Sequence, residues 1–318
     1  IWKGLVGSEM CIRDRSCALG LVAQSSFARE LSVVASFSIL ADMVSEIAGE
    51  AIEVESIIGP GADAHIYQPS VADAMTVAGA DIVFVNGFGF ETWASNLISE
   101  SASDAVVVIA TEGITPIEVD GSIDPHAWNS LKNGMIYVRN IAAALSDIAP
   151  QLADQVNANA ELYMQRLEYI DQDIACRVSR LPESSRTVVT SHDAFGYLAA
   201  DYGLTFLAPK GIDTDAEPTA RALAVLIKQL KNVDAAALFA ENITSPALIN
   251  QIASETGLEV GGRLYSDALS VPGGPANSYV DMLRHNANNI LEILERGSTP
   301  GCAEGREIYD QTQLTAME

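Results

Sequence analysis

The chain has 318 residues, of which 42 are acidic and 18 basic, for a formal net charge of -24 at neutral pH. A surface this acidic repels a phosphate backbone or an anionic bilayer, which excludes nucleic acid and membrane surfaces as principal partners. Hydrophobic residues make up 48% of the chain, so burying a core is not the difficulty, and the length suits two modest domains or one large one.

Residues 1–15, IWKGLVGSEMCIRDR, do not connect sensibly to the rest of the chain and are set aside as non-native. Residues 16–28, SCALGLVAQSSFA, read as the tail of a truncated signal peptide: an apolar run, then Ser26-Phe27-Ala28 in the small-x-small cleavage pattern, then the charged pair Arg29-Glu30. Cys17 lacks a leucine three residues before it, so no lipid anchor is expected. No later apolar run approaches the roughly 18 residues of a spanning helix. The expectation is an exported, periplasmic, soluble protein without membrane insertion, beginning at Arg29.

From there the pattern alternates strand and helix. LSVVASF is followed by an amphipathic helix from Ile39 to Ala48, then IEVESIIG, a helix from Ser70 to Ala78, DIVFVNG, a helix from Glu91 to Ile98, and AVVVIA. Valine- and isoleucine-rich runs between helical stretches predict a parallel sheet covered on both faces. The scheme repeats with RTVVTSH, a helix, LTFLAP, a helix from Pro218 to Leu230, AALFAEN, a helix from Pro246 to Glu255, LEVGGRLY, and a last helix from Tyr279 to Leu294. Between the halves, Asn133 to Arg180 has no strand signal, and Pro150 divides it, since proline opens a helix but does not sit in its middle. The part after Pro150 predicts a helix of about thirty residues, roughly 45 Å long at 1.5 Å per residue. The reading is therefore α/β, with two lobes, each a parallel β-sheet covered by helices and holding its own core, joined by one long linking helix. The expected boundaries are 29–148 for the N-terminal lobe, 149–182 for the link and 183–318 for the C-terminal lobe. A single stiff link restricts hinge motion between the lobes.

Cys176 and Cys302 remain once Cys11 and Cys17 are set aside. They are equally compatible with one disulfide in an oxidising compartment and with two isolated buried thiols.

The chemistry concentrates at strand ends. Three of the four histidines, His65, His126 and His192, lie in loops after apolar strands, and Asp267 comes after LEVGGRLYS in the same manner. Open α/β sheets hold ligands at the carboxyl ends of their strands, so two residues from each lobe would meet in the cleft. Three imidazoles and one carboxylate make a donor set for tetrahedral zinc, at roughly 2.0 to 2.2 Å each. Taken singly, each has an ordinary explanation: a surface histidine, a helix start capped by Asp124, a core histidine, a turn aspartate. His285, in the final helix, is expected to face solvent. Asp63, Asp124 and Asp193 are candidates to orient the imidazoles, because metal-bound histidines donate their other N–H to a carboxylate, carbonyl or water.

The segments GADAHIYQPS, IDPHAWNS, TSHDAFGYLAADYGL, GIDTDAEPTA and LYSDALS together resemble the metal-specific substrate-binding proteins of ABC importers, the cluster A-I group, over nearly all of the mature chain. The resemblance implies a two-lobed periplasmic protein with a rigid linking helix that captures Zn(II) as its transported ligand and delivers it to an ABC transporter permease, with His65, His126, His192 and Asp267 as the metal ligands. In that group a histidine at the third position is typical of zinc binders, where manganese binders usually have glutamate. Zinc-binding members often carry a histidine-rich loop before the second ligand, but TEGITPIEVDGSIDPH has no histidine until His126. Loading by a metallochaperone is the alternative route this suggests, and a monomer is expected. The rival readings are a manganese or other divalent-metal binder, an adhesin that uses the metal structurally, and a zinc hydrolase. The last needs an open coordination position, which a fourth ligand at Asp267 would close.

Overall fold

The computed structural model describes residues 31–232, 235–296 and 302. The leader and cleavage pattern read from the sequence lie outside them. The first lobe is built on β1 (Val33–Phe37), β2 (Val54–Ile58), β3 (Ile82–Val85) and β4 (Val106–Ile109), ordered β2-β1-β3-β4 with every pair parallel. A two-stranded antiparallel hairpin, β5 (Glu118–Val119) and β6 (Ser122–Ile123), comes next. The second sheet contains β7 (Thr187–Val189), β8 (Thr205–Leu207), β9 (Ala235–Glu241) and β10 (Val260–Leu264), ordered β10-β9-β7-β8 and also parallel. Every residue of β1 and β3 is buried, the consequence of apolar strands covered on both faces. The two-lobe α/β architecture expected from the alternation is the one found.

Nine α-helices are present among the described residues: α1 (Ser38–Ala48), α2 (Val71–Gly79), α3 (Ala94–Glu100), α4 (Leu131–Ile148), α5 (Ala153–Ser179), α6 (Gly196–Tyr202), α7 (Ala220–Leu230), α8 (Ala247–Thr256) and α9 (Tyr279–Leu294). Helices α2 and α7 begin a residue or two later than the apolar period suggests because the preceding polar residue is a cap, and α9 begins at Tyr279 as expected. Ser70 accepts from the Asp73 N–H while the Asp73 carboxylate accepts from the Ser70 N–H, a capping box that opens α2. Thr219 and Ser278 each accept a backbone N–H at the start of α7 and α9. The largest difference is α3, expected from Glu91. The Glu91 carboxylate turns inward and accepts from Ser36 Oγ at 2.5 Å and the Asn86 N–H at 2.7 Å, so the chain there is a turn and the helix waits until Ala94.

Pro150 opens a single 3₁₀ turn between α4 and α5. Helix α5 is 27 residues long, about 40 Å, and buries Val156, Ala160, Tyr163, Leu167, Ile170, Ile174 and Val178 along one stripe. That stripe packs against α1 and α4 of the first lobe and against α6 and α9 of the second. Near its end, the buried Arg177 donates to both Glu295 oxygens, at 2.7 and 2.8 Å, and to Asn288 Oδ1 at 2.9 Å. The expectation of separate lobe cores does not hold. One continuous apolar cluster runs from β1 and α1 through α4 and α5 to β9 and α9, and only a small group between β7, β9, α7 and α8 stands apart. Because α5 presents its stripe to helices of both lobes, the link is itself core, which stiffens the pair of lobes further than its length alone would.

Cys176, near the end of α5, is disulfide-bonded to Cys302, with their Cα atoms 6.3 Å apart. The bond closes a loop with a sequence separation of 126, which strongly restricts the unfolded chain. Replacing Cys302 with serine is expected to lower stability by about 2–4 kcal/mol. Urea denaturation without reductant checks this; a midpoint equal to that of the parent protein would contradict it.

Candidate metal centre

The four residues singled out from the sequence come together at the carboxyl ends of the two sheets. His65 sits in the loop between β2 and α2, His192 in the loop leaving β7, and Asp267 in the loop leaving β10. His126 is placed differently from the short loop expected after β4. The chain first makes the β5–β6 hairpin, whose two-residue turn, Asp120-Gly121, has positive φ at both positions, 52° and 86°, as a type I′ turn requires. His126 then stands immediately before one 3₁₀ turn, Ala127–Asn129.

One donor atom from each of the four lies within 4.8 Å of all the others. His65 Nε2 and His126 Nε2 are 3.2 Å apart, and His192 Nε2 is 3.1 Å from Asp267 Oδ2. His65 Nε2 is 3.5 Å from Asp267 Oδ2, and His126 Nε2 is 3.6 Å from Asp267 Oδ1. A regular tetrahedron with bonds of 2.0–2.1 Å has edges of roughly 3.3 Å, which is the scale of these separations. His126, His192 and Asp267 are fully buried, and the His65 side chain is only 3% exposed although the residue as a whole is partly exposed.

Every imidazole has a carboxylate behind it. The His126 Nδ1 lies 2.7 Å from Asp124 Oδ1, which also accepts from the His126 N–H at 3.0 Å. The His192 Nδ1 lies against Glu241 Oε2, and the other Glu241 oxygen accepts from the backbone N–H groups of Ser191 and His192, at 2.7 and 2.9 Å. The same Glu241 accepts from Ser266 Oγ at 2.8 Å, so one buried carboxylate organises the loops of both His192 and Asp267. The His65 Nδ1 lies 3.4 Å from Asp213 Oδ1. Of the three aspartates expected to orient imidazoles, only Asp124 does so. Asp63 accepts from the His65 backbone N–H rather than the ring, and the Asp193 N–H donates to the Gly211 carbonyl. Glu241 and Asp213 were missed. An acid ending an apolar strand, in AALFAEN, and the aspartate of GIDTDAEPTA are the signals that could have found them.

Aromatic rings fix the imidazoles sideways. Phe90 meets His65 edge to face at a 4.9 Å centroid distance, and Trp128 does the same to His126 at 5.3 Å. The approaches to Asp267 lack hydrogen-bond geometry, so both of its oxygens and His192 Nε2 are buried without a hydrogen-bond partner among the described residues. A buried charged group left in that condition is strongly unfavourable unless a counter-charge sits on it. Burial favours a neutral His65, but Asp213 and Asp267 outweigh it and push the imidazole up to about 9. Burial opposes charge on His192 as well, and there Glu241 and Asp267 prevail, raising it well above its ordinary range. Burial would raise Asp267, yet His192 and His126 hold it well below the usual carboxylate range. The arrangement is a pocket of negative potential with nitrogen and oxygen donors converging on one point. His285 is elsewhere and is half-buried rather than solvent-facing: its Nε2 lies 3.0 Å from the Arg263 carbonyl, and its ring packs against Tyr265.

Gly196, the first residue of α6, makes room for this machinery. A Cβ there would stand 2.6 Å from Asp124 Oδ2. Gly196→Ala should therefore displace the carboxylate behind His126 and lower metal affinity by about tenfold, the lower end of the range for losing an orienting partner. Competition against a calibrated chelator measures it, and an unchanged affinity would show that Asp124 can shift without consequence.

Comparison with known proteins extends the picture. The family model described as "Zinc-uptake complex component A periplasmic" matches residues 33–293. The chain is 33% identical over 267 residues to the manganese-binding lipoprotein MntA of Halalkalibacterium halodurans, covering 84% of this chain and 89% of that protein. It is 34% identical over 273 residues to the iron-binding protein YfeA of Yersinia pestis, covering 84% and 88%. Among solved structures it is similar to the periplasmic zinc binding protein TroA of Treponema pallidum, with a TM-score of 0.80, 26% identity, and coverage of 83% of this chain and 99% of that one.

Proposed function

The chain belongs to the zinc-uptake complex component A family, metal-binding components of ABC importers rather than enzymes, and on that premise we propose that it captures Zn(II) in the inter-lobe cleft and delivers it to a permease. His65, His126, His192 and Asp267 are the proposed ligands. The observation that carries the choice of metal is the donor set: three imidazoles and one carboxylate at tetrahedral spacing, each imidazole backed by an acid. Nitrogen-rich sites favour zinc over manganese, whereas exchanging an imidazole for a carboxylate hardens a site towards manganese. The family description names zinc, as does the name of TroA. The same ligands with manganese or iron as cargo form the second reading, favoured by the names of MntA and YfeA. Export to the periplasm, action as a monomer and loading by a metallochaperone belong to the same proposal. The absence of histidine between Thr111 and His126 supports the last of these.

Titrating the metal-free protein with Zn(II), Mn(II) and Fe(II) against calibrated chelators tests the choice. One zinc per chain, bound far more tightly than manganese or iron, is expected, with the gap narrowed in His192→Glu. Manganese or iron held as tightly as zinc by the parent protein would favour the second reading.

Protons and metal compete for the same nitrogens. In the metal-free protein the His65 pairing stabilises the fold fully below the ordinary histidine pKa of about 6.5 and is lost as pH rises through about 9. Zinc affinity should run the opposite way, climbing from pH 6 towards 9, with proton release on binding at pH 7.5 seen as a dependence of calorimetric heat on buffer ionisation enthalpy. A sequence-based expectation places the whole fall below about 6.5; the acids around the site move it upward. Affinity that is flat between pH 6.5 and 9 would exclude His65 as a ligand.

A further inference from the structure

The three imidazoles differ in where their orienting acid comes from. His126 and Asp124 share one loop, and His192 and Glu241 belong to one lobe. His65 belongs to the first lobe, but Asp213, which lies against its Nδ1, belongs to the second, in the loop between β8 and α7. The next residue repeats the crossing: Thr214 Oγ1 donates to Asp63 Oδ2 at 2.6 Å, while Asp63 Oδ1 accepts from the His65 N–H at 2.9 Å. The loop is braced locally. Lys210 Nζ donates to the Thr214 carbonyl at 3.3 Å and to Glu217 at 3.0 Å, and the Asp193 N–H donates to the Gly211 carbonyl at 3.0 Å.

The other three ligand segments are tied together by buried bonds. Trp128 Nε1 donates to the Ser266 carbonyl at 2.7 Å, Asn129 Nδ2 donates to the Ala194 carbonyl at 3.0 Å, and Glu241 joins His192 to Ser266. The His65 loop is also held at its backbone, by Trp93 Nε1 on the Ala64 carbonyl at 3.3 Å and by the Gly61 N–H on the Leu269 carbonyl at 2.9 Å, but the acid behind its ring is different in kind: the Asp213 side chain is 66% exposed. Water and competing ions reach this contact, so it opens more readily than the buried ones.

We infer that Asp213 and Thr214 are positioning residues that hold His65 from across the cleft and make it the first ligand to leave when metal is released. This rests on the capture and delivery reading above. Separating the β8–α7 loop from the His65 loop removes the acid from the ring and the hydroxyl from Asp63 in one movement, and His65 then turns away while the other three donors stay in register. Affinity at this ligand is thereby set by the closed arrangement of the lobes, and a permease that disturbs one exposed loop would lower it without unfolding the site.

Zinc release into excess chelator, monitored by stopped flow, tests the inference. Asp213→Asn and Thr214→Val should each release zinc faster than the parent protein, Asp213→Asn by about tenfold, the scale for losing a partner that orients a metal-bound imidazole. Asp213→Glu should restore slow release in part, and the metal-free variants should stay cooperatively folded, melting only slightly below the parent. Asp215→Asn removes an equal charge from the same loop, at an exposed residue that takes no part in bracing it, and should leave release unchanged. In a His65→Ala background Asp213→Asn should add nothing. Equal acceleration by Asp215→Asn, or acceleration that persists without His65, would overturn the inference in favour of a general charge effect. Unchanged release in Asp213→Asn would overturn it alone, whereas a parent protein that retains no zinc would overturn the transport reading along with it.

Discussion

A carboxylate withdrawn from water must have positive charge beside it, and the Asp267 carboxylate is buried completely with no hydrogen-bond donor among the described residues. Three imidazole nitrogens surround it at 3.1 to 3.6 Å, and Asp124 and Glu241, likewise buried, stand behind two of them. Acids therefore crowd a space whose bases are neutral at ordinary histidine pKa values. These acids favour the protonated form of His65 and His192, which is why both are displaced upward. A dication arriving among the four donors competes with protons for the same nitrogens and meets the same negative surroundings. The orienting acids also fix which nitrogen of each ring faces the centre.

Holding such a cluster requires a scaffold that does not relax. Helix α5 supplies it by contributing one apolar stripe to the core of both lobes, with Arg177 and the Cys176–Cys302 bond securing its far end. Trp128 contributes in two ways, packing its ring on His126 and donating its N–H to the Ser266 carbonyl next to Asp267. One shared core and buried bonds leave little room for wide hinge opening, so adjustment falls to the loops at the cleft mouth. Among these the β8–α7 loop differs from the rest, because it reaches across to His65 from an exposed position.

Much of this was legible in the sequence, and the reasons differ by feature. The strands announced themselves because both faces are buried, which leaves continuous runs such as VVASF and IVFV. The positions of His65, His126, His192 and Asp267 were legible because strand ends in α/β sheets are where ligands gather, so order along the chain carried spatial information. Their meeting in the cleft and a role for Asp124 were expectations of that order, and the structure adds the distances and singles Asp124 out from Asp63 and Asp193. Glu241 and Asp213 left a signal only as acids at a strand end and in a loop, and their partners were not legible, since a partner is defined by side-chain direction between residues far apart in the chain, 49 positions in the case of Glu241 and His192. The start of α3 failed for a related reason: Glu91 fits a helical period locally, but Ser36 and the Asn86 N–H draw it inward. The shared core was hidden as well, because an apolar stripe on α5 does not say how many lobes it serves.

The central claim is that four preset donors hold a single ion. X-ray absorption spectroscopy on the zinc-loaded protein at neutral pH tests it most directly. The account predicts one zinc with a first shell of four nitrogen or oxygen atoms at about 2.0 Å and the multiple-scattering signature of three imidazoles. A six-coordinate shell, a sulfur neighbour, or fewer than three imidazoles would contradict it.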